Sequence, residues 1–147
     1  LFARPPYALS RVDFPASEPL LVIFEAPGCA ACEAFHSDVL ALPEVRQLLQ
    51  RFEVVRLDAS DTETPVLGPD GRPTTGAAWF AREEFSRVPA LLYADEAGKT
   101  VFKTDAVLER QRMLNACGLV LERAYQKGWS YQRFARSRAL ERSATTE

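Results

Sequence analysis

Apolar positions along the chain follow two patterns. Short apolar runs bounded by turn residues predict strands over residues 20–25, 53–58, 88–94 and 100–103, and the first, unbroken from Leu20 to Phe24, reads as buried. Longer stretches with apolar side chains three or four positions apart predict helices. One covers residues 29–41, where Cys32, Phe35, His36 and Val39 share a face, and another covers 44–52, where Val45, Leu48, Leu49 and Phe52 do. Pro43 separates them, because proline lacks a backbone donor and its ring clashes with the preceding turn. Thr74 or Thr75 can cap a third helix running to about Phe85. A long helix over 107–127 is expected to bury Leu114, Cys117, Leu121 and Ala124, with Gly128 as its stop and residues 129–142 as a further helical stretch. The last two strands flank Asp95-Glu96-Ala97-Gly98 and are expected to pair antiparallel across that turn.

Both patterns lapse in two places. Residues 1–19 carry prolines at positions 5, 6, 15 and 19 and no clean period, which reads as an irregular lead-in with a short edge strand, draped on the surface. Residues 59–75 shift to Asp, Thr, Pro and Gly, and Pro69-Asp70-Gly71 gives a tight turn between flanks able to pair as a small hairpin. Residues 20–127 thus read as one α/β domain with an insertion at 59–75, followed by a helical tail over 128–147.

At 147 residues and 47% hydrophobic content, the chain has enough apolar side chain for a single core. Its 18 basic and 20 acidic residues leave a net charge of −2, which gives no footprint for nucleic acid or an anionic membrane as the main partner. No apolar stretch approaches the roughly 20 residues needed to cross a bilayer. The chain starts at Leu1, which suits either a mature chain relieved of an export signal or one trimmed at its start.

The chemistry concentrates where the first long apolar run gives way to a helix. Gly28-Cys29-Ala30-Ala31-Cys32 offers two thiols one helical turn apart. The unpaired N–H groups and dipole at a helix start stabilise the thiolate of the first cysteine, so Cys29 is the expected nucleophile. Cys32, on the same face, is placed to close a disulfide and release a partner held at Cys29. Three cysteines are too few for a disulfide scaffold, and Cys117, alone in a helical pattern, reads as a packed apolar side chain. A zinc site would need a second short-spaced ligand pair, whereas His36 shares the first helix and Cys117 is remote. Covalent haem would need His directly after the second cysteine, and position 33 is Glu. No metal or added cofactor is expected; the redox-active group is the Cys29–Cys32 pair itself.

The order of strand, Cys-x-x-Cys helix, strand, helix, Val88-Pro89 strand, strand and helix resembles the thioredoxin superfamily across residues 20–127. The resemblance implies a thioredoxin-like fold, a central mixed β-sheet flanked by helices, here with a hairpin-like insertion and a C-terminal helical extension. It also implies that Pro89, 57 residues after Cys32, is cis and faces the dithiol, exposing the Val88 backbone to a substrate strand, with Pro27 and Gly28 also at the substrate side. Within the superfamily, Phe24-Glu25-Ala26-Pro27-Gly28-Cys29, His36 four residues after Cys32 and the Pro43-Glu44-Val45 helix restart are similar to exported bacterial thioredoxin-like proteins of the sulfur-oxidation-associated (SoxW-type) group.

Two departures from thioredoxin itself stand out. Gly28 and Ala30-Ala31 fill places that thioredoxin gives to Trp and Gly-Pro, and Ile23 occupies the position of its buried proton-accepting carboxylate. Glu25 is the nearest acid on the strand and either takes that work through water or is a solvated strand-end acid. His36, the only histidine, either tunes the resolving thiol or is a structural, hydrogen-bonded side chain.

The implied activity is thiol-disulfide exchange on disulfide-containing proteins or small thiols, in the reducing direction, in the periplasm or another exported location, with a membrane partner as electron donor. The alternative is a thioredoxin-fold module that switches once as a redox sensor or binding surface without turnover. The insertion is either a plain surface hairpin or a recognition element presenting Val66 and Leu67 beside the dithiol.

Overall fold

The computed structural model describes residues 2–146. A four-stranded mixed sheet lies at the centre, built from β2 (Leu20–Glu25), β3 (Glu53–Asp58), β6 (Ala90–Ala94) and β7 (Thr100–Thr104) in the order β3-β2-β6-β7. β2 runs parallel to β3 and antiparallel to β6, and β6 is antiparallel to β7. The unbroken apolar run of β2 follows from burial on both faces. Leu21 and Ile23 face Val45, Leu49, Met113 and Cys117 on one side, while Leu20, Val22 and Phe24 face Leu9, Val66 and Trp79 on the other.

Helices α1 (Ala30–Phe35), α2 (Pro43–Leu49) and α4 (Arg110–Leu121) belong to the first side, and α3 (Gly76–Arg82) to the second. The helix expected over 29–41 is α1 followed by a wider π turn at His36–Leu40, where Ala41 N–H reaches back to His36 O at 3.0 Å. Thr75 caps α3 by accepting from Ala78 N–H at 3.1 Å.

The long helix expected over 107–127 is shorter. α4 ends at Leu121, Arg123 turns left-handed at φ 57°, and a 3₁₀ turn at Ala124–Lys127 leads to Gly128. Its buried face is Met113, Ala116, Cys117 and Val120, and Leu114 and Leu121 flank that face half-buried. α5 (Tyr131–Thr146) docks through Phe134 against Leu119 and Ala124.

The lead-in is more than a surface drape. Its strand β1 (Tyr7–Ala8) pairs parallel with β4 (Val66–Leu67) of the insertion, which pairs antiparallel with β5 (Pro73–Thr74). Leu9 and Val66 sink into the second core. Arg11, only 3% exposed, donates to the carbonyls of Glu18 at 2.5 Å and Asp95 at 3.0 Å and pairs with Glu53 at 2.8 Å. Burying a guanidinium is tolerable only with such partners, so Arg11 ties the lead-in to the ends of β2, β3 and β6.

Candidate active site

β2 ends at Glu25 level with Asp58 of β3, and Phe24 lies level with Ala90 at the start of β6, so three strand ends converge where α1 begins. Gly28 makes the turn into the helix with φ +70°, a left-handed conformation that favours glycine. The space around it is open, so the backbone angle, not crowding, selects glycine here.

Cys29 is the N-cap of α1. Its backbone is extended, and its Sγ accepts the Cys32 N–H at 3.0 Å. Cys29 and Cys32 are joined as a disulfide with a Cα–Cα distance of 5.2 Å. Cys29 is half-buried, whereas Cys32 is 4% exposed and packed beneath the helix. The Val88 carbonyl lies 3.9 Å from Cys29 Sγ, and the Val88–Pro89 peptide bond is cis. In the disulfide this is a sulfur–oxygen contact; in the dithiol, Cys29 S–H has an acceptor there.

Beside the dithiol is a charged cluster. Glu25, whose side chain is 13% exposed, accepts from His36 Nε2 with one carboxylate oxygen and pairs through the other with Arg56 Nε at 3.3 Å. A carboxylate so far removed from water requires these two partners. The Phe2 ring covers the cluster, 5.1 Å from the Arg56 guanidinium and 5.9 Å from the His36 ring. Glu25, His36, Arg56, Pro27, Cys29 and Cys32 line one groove, which continues past Pro27 and Arg56 toward Phe2 and Tyr7.

The structure therefore brings Glu25, Pro27, Gly28, Cys29, Cys32 and His36 to one groove, and sets the Val88 carbonyl, at the cis bond to Pro89, 3.9 Å from Cys29 Sγ. Ile23 is fully buried in the core. The sequence carries no local signal for Arg56 or Phe2: Arg56 reaches the site through the parallel β2–β3 register, level with Ile23, and Phe2 through a bridge to Val54. Cys117 stands apart in the core, with Tyr93 Oη 3.5 Å from its Sγ. Burial pushes its thiol up to about 11, although the Tyr93 hydrogen bond opposes the shift. Among the described residues, no group of three or more His, Cys, Asp or Glu side chains is arranged to hold a metal ion.

Comparison with known proteins agrees with this architecture. Among solved structures, a thioredoxin-fold protein from Helicobacter pylori superposes with a TM-score of 0.71 at 18% identity, covering 88% of this chain and 83% of that one. A thioredoxin from Thermus thermophilus gives 0.56 at 20% identity, over 71% and 74%. The C-terminal domain of DsbD from Neisseria meningitidis, in its oxidised form, gives 0.51 at 16%, over 70% and 80%. At these identities the likeness is one of fold. No curated protein sequence matches the chain. The thioredoxin-like domain family matches residues 15–118, from inside the lead-in to the middle of α4, and its redox group is the cysteine pair with no added cofactor. With most of its length inside that match, the chain belongs to the thioredoxin-like domain family.

Proposed function

We propose that the protein is a thiol-disulfide oxidoreductase working through a mixed disulfide. The observation that carries this reading is the pairing of a half-buried Cys29 at the helix start with a shielded Cys32 one turn on. In the reduced protein, the Cys29 thiolate attacks a substrate disulfide, forming one S–S bond and expelling one substrate thiolate. The Cys32 thiolate then attacks Cys29 Sγ and expels the second. Two electrons pass to the substrate, and the Cys29–Cys32 disulfide is left for a dithiol donor to reduce.

Glu25 is the base that takes the Cys32 proton through water, held by His36 and Arg56. An extended substrate segment lies along the Val88 backbone beside Pro89, with Pro27 and Gly28 forming the near wall. We place the protein in the exported, sulfur-oxidation-associated group on the strength of the residues from Phe24 to Cys29 and of His36. The direction is then reduction of protein or small-molecule disulfides in the periplasm, with electrons from a membrane partner.

Turnover tests the activity and equilibration tests the direction. With excess dithiothreitol, the protein should reduce a generic disulfide over many cycles, and equilibration with glutathione should give a potential well below that of the glutathione couple. A single stoichiometric exchange would identify a sensor, and a potential above glutathione would reverse the direction.

A further inference from the structure

The loop that presents Val88 is tied down from outside the active site, and we infer that Asp105 is a positioning residue for substrate docking. This rests on the oxidoreductase reading above. The loop leaves α3 through Glu84, which is left-handed at φ 61°, and anchors Phe85 against the rings of Phe24 and Phe80 at 5.7 and 5.6 Å. From Glu83 to Arg87 it is fixed by polar ties to the end of β7. Lys103 Nζ donates to the Glu83 carbonyl at 3.1 Å and to its carboxylate at 3.0 Å. Asp105 Oδ2 accepts the Ser86 N–H at 2.7 Å, and the Asp105 carbonyl accepts Arg87 Nε at 2.8 Å.

These two Asp105 bonds act on the residues immediately before Val88, whose carbonyl lies 3.9 Å from Cys29 Sγ. β7 brings Asp105 there because its last residue, Thr104, is level with Leu91 at the head of β6. Both bonds carry a full charge on one partner, which makes them roughly twice as strong as neutral ones. Asp105 thus sets where the Val88 backbone meets an extended peptide, while the dithiol chemistry is left to Cys29 and Cys32. A small disulfide that does not run along Val88 is indifferent to it.

The test compares a peptide disulfide with a small aromatic disulfide, using the full chain. Asp105→Ala should raise KM for the peptide about ten- to thirtyfold, the lower range for losing one charge-assisted bond. Its kcat, its KM for the small disulfide and the alkylation rate of Cys29 should be unchanged. Asp105→Asn should recover part of the loss, since its amide oxygen still accepts the Ser86 N–H without the charge. An unchanged peptide KM, equal losses on both substrates, or a fall in Cys29 alkylation would overturn the positioning role. If Asp105→Ala melts below the assay temperature, Arg87→Met, which removes one tie, carries the same test with the same criteria. A wild-type protein that turns over neither substrate overturns the oxidoreductase reading itself, which is visible before any variant is made.

Discussion

The backbone N–H of Cys32 donates to Cys29 Sγ across 3.0 Å, from within the helix that Cys29 caps. Once the disulfide opens, that N–H and the positive end of α1 are aimed at the sulfur that is also the more exposed of the two. Cys32 has neither advantage, because it lies inside the first turn and is 4% exposed.

In the reduced protein, a small alkylating agent should therefore label Cys29 at least about tenfold faster than Cys32. Mass mapping after a brief exposure reads the ratio. Cys29→Ser should abolish exchange, and Cys32→Ser should accumulate mixed disulfides with substrate. Preferential labelling of Cys32 would reverse the two roles.

Glu25 supplies the second prediction. Ile23 is buried among apolar side chains, so the carboxylate next to the dithiol is the one two residues further along β2, with His36 and Arg56 holding it. Glu25→Gln keeps the shape but removes the proposed base, and should slow resolution of the mixed disulfide by about 10²-fold, the lower range for general-base catalysis. Quenched-flow mass spectrometry separates this step from the first attack, for which a change under about threefold is expected. Equal slowing of both steps would mean that Glu25 acts by shaping the groove.

The parts of the fold that were legible in the chain are those whose signal is local. β2 reads as buried because five consecutive apolar residues suit a strand covered on both faces, and the cysteine pair reads as redox-active because its spacing is itself the chemistry. The end of α4 was illegible: the chain turns at a left-handed Arg123, a residue that gives no glycine or asparagine stop signal, so the period seemed to run on to Lys127. Arg11 and Val66 were illegible for a different reason. β1 and β4 are two residues each, too short for any period, and they meet only because the chain brings Tyr7 level with Val66. Phe2 joins the site through the same kind of long-range contact, a bridge to Val54.

Cys117 makes stability depend on pH. Its thiol is raised from an ordinary value of 9.0 to about 11 by burial, and burial also raises the neighbouring Tyr93 hydroxyl. The unfolded chain thus loses these protons at lower pH than the folded one. The contribution is intact below about pH 9 and is lost as pH rises toward 11, on the order of a few kcal/mol for a shift of that size at Cys117. Urea denaturation across this window should show a falling midpoint. Cys117→Ala should flatten the fall, retain disulfide exchange and cost about 1 kcal/mol at neutral pH through the small void it leaves. A loss of turnover in that variant would reveal a third redox thiol.

The insertion at 59–75 is bound into the fold more tightly than its composition suggests. Val66 is 2% exposed within the second core, so it is unavailable to a partner, and only Leu67, at 38%, faces outward. At the far end, Gly76 packs so closely on β3 that an added Cβ would lie 2.2 Å from the Asp58 carbonyl oxygen, and Ala77 N–H closes the turn onto Asp61 O at 2.9 Å. Removing the segment strips β1 of its partner and leaves Leu9 and Trp79 with a gap where Val66 had been. Replacing residues 59–75 with a short Gly-Ser loop should therefore lower the melting temperature and reduce activity on small and protein disulfides alike. Val66→Ala should reproduce part of the effect, about 2 kcal/mol from two buried methyl groups and the cavity they leave. A loop-replaced protein that melts within a degree or two of the wild type and loses only protein-disulfide exchange would instead make the segment a recognition element.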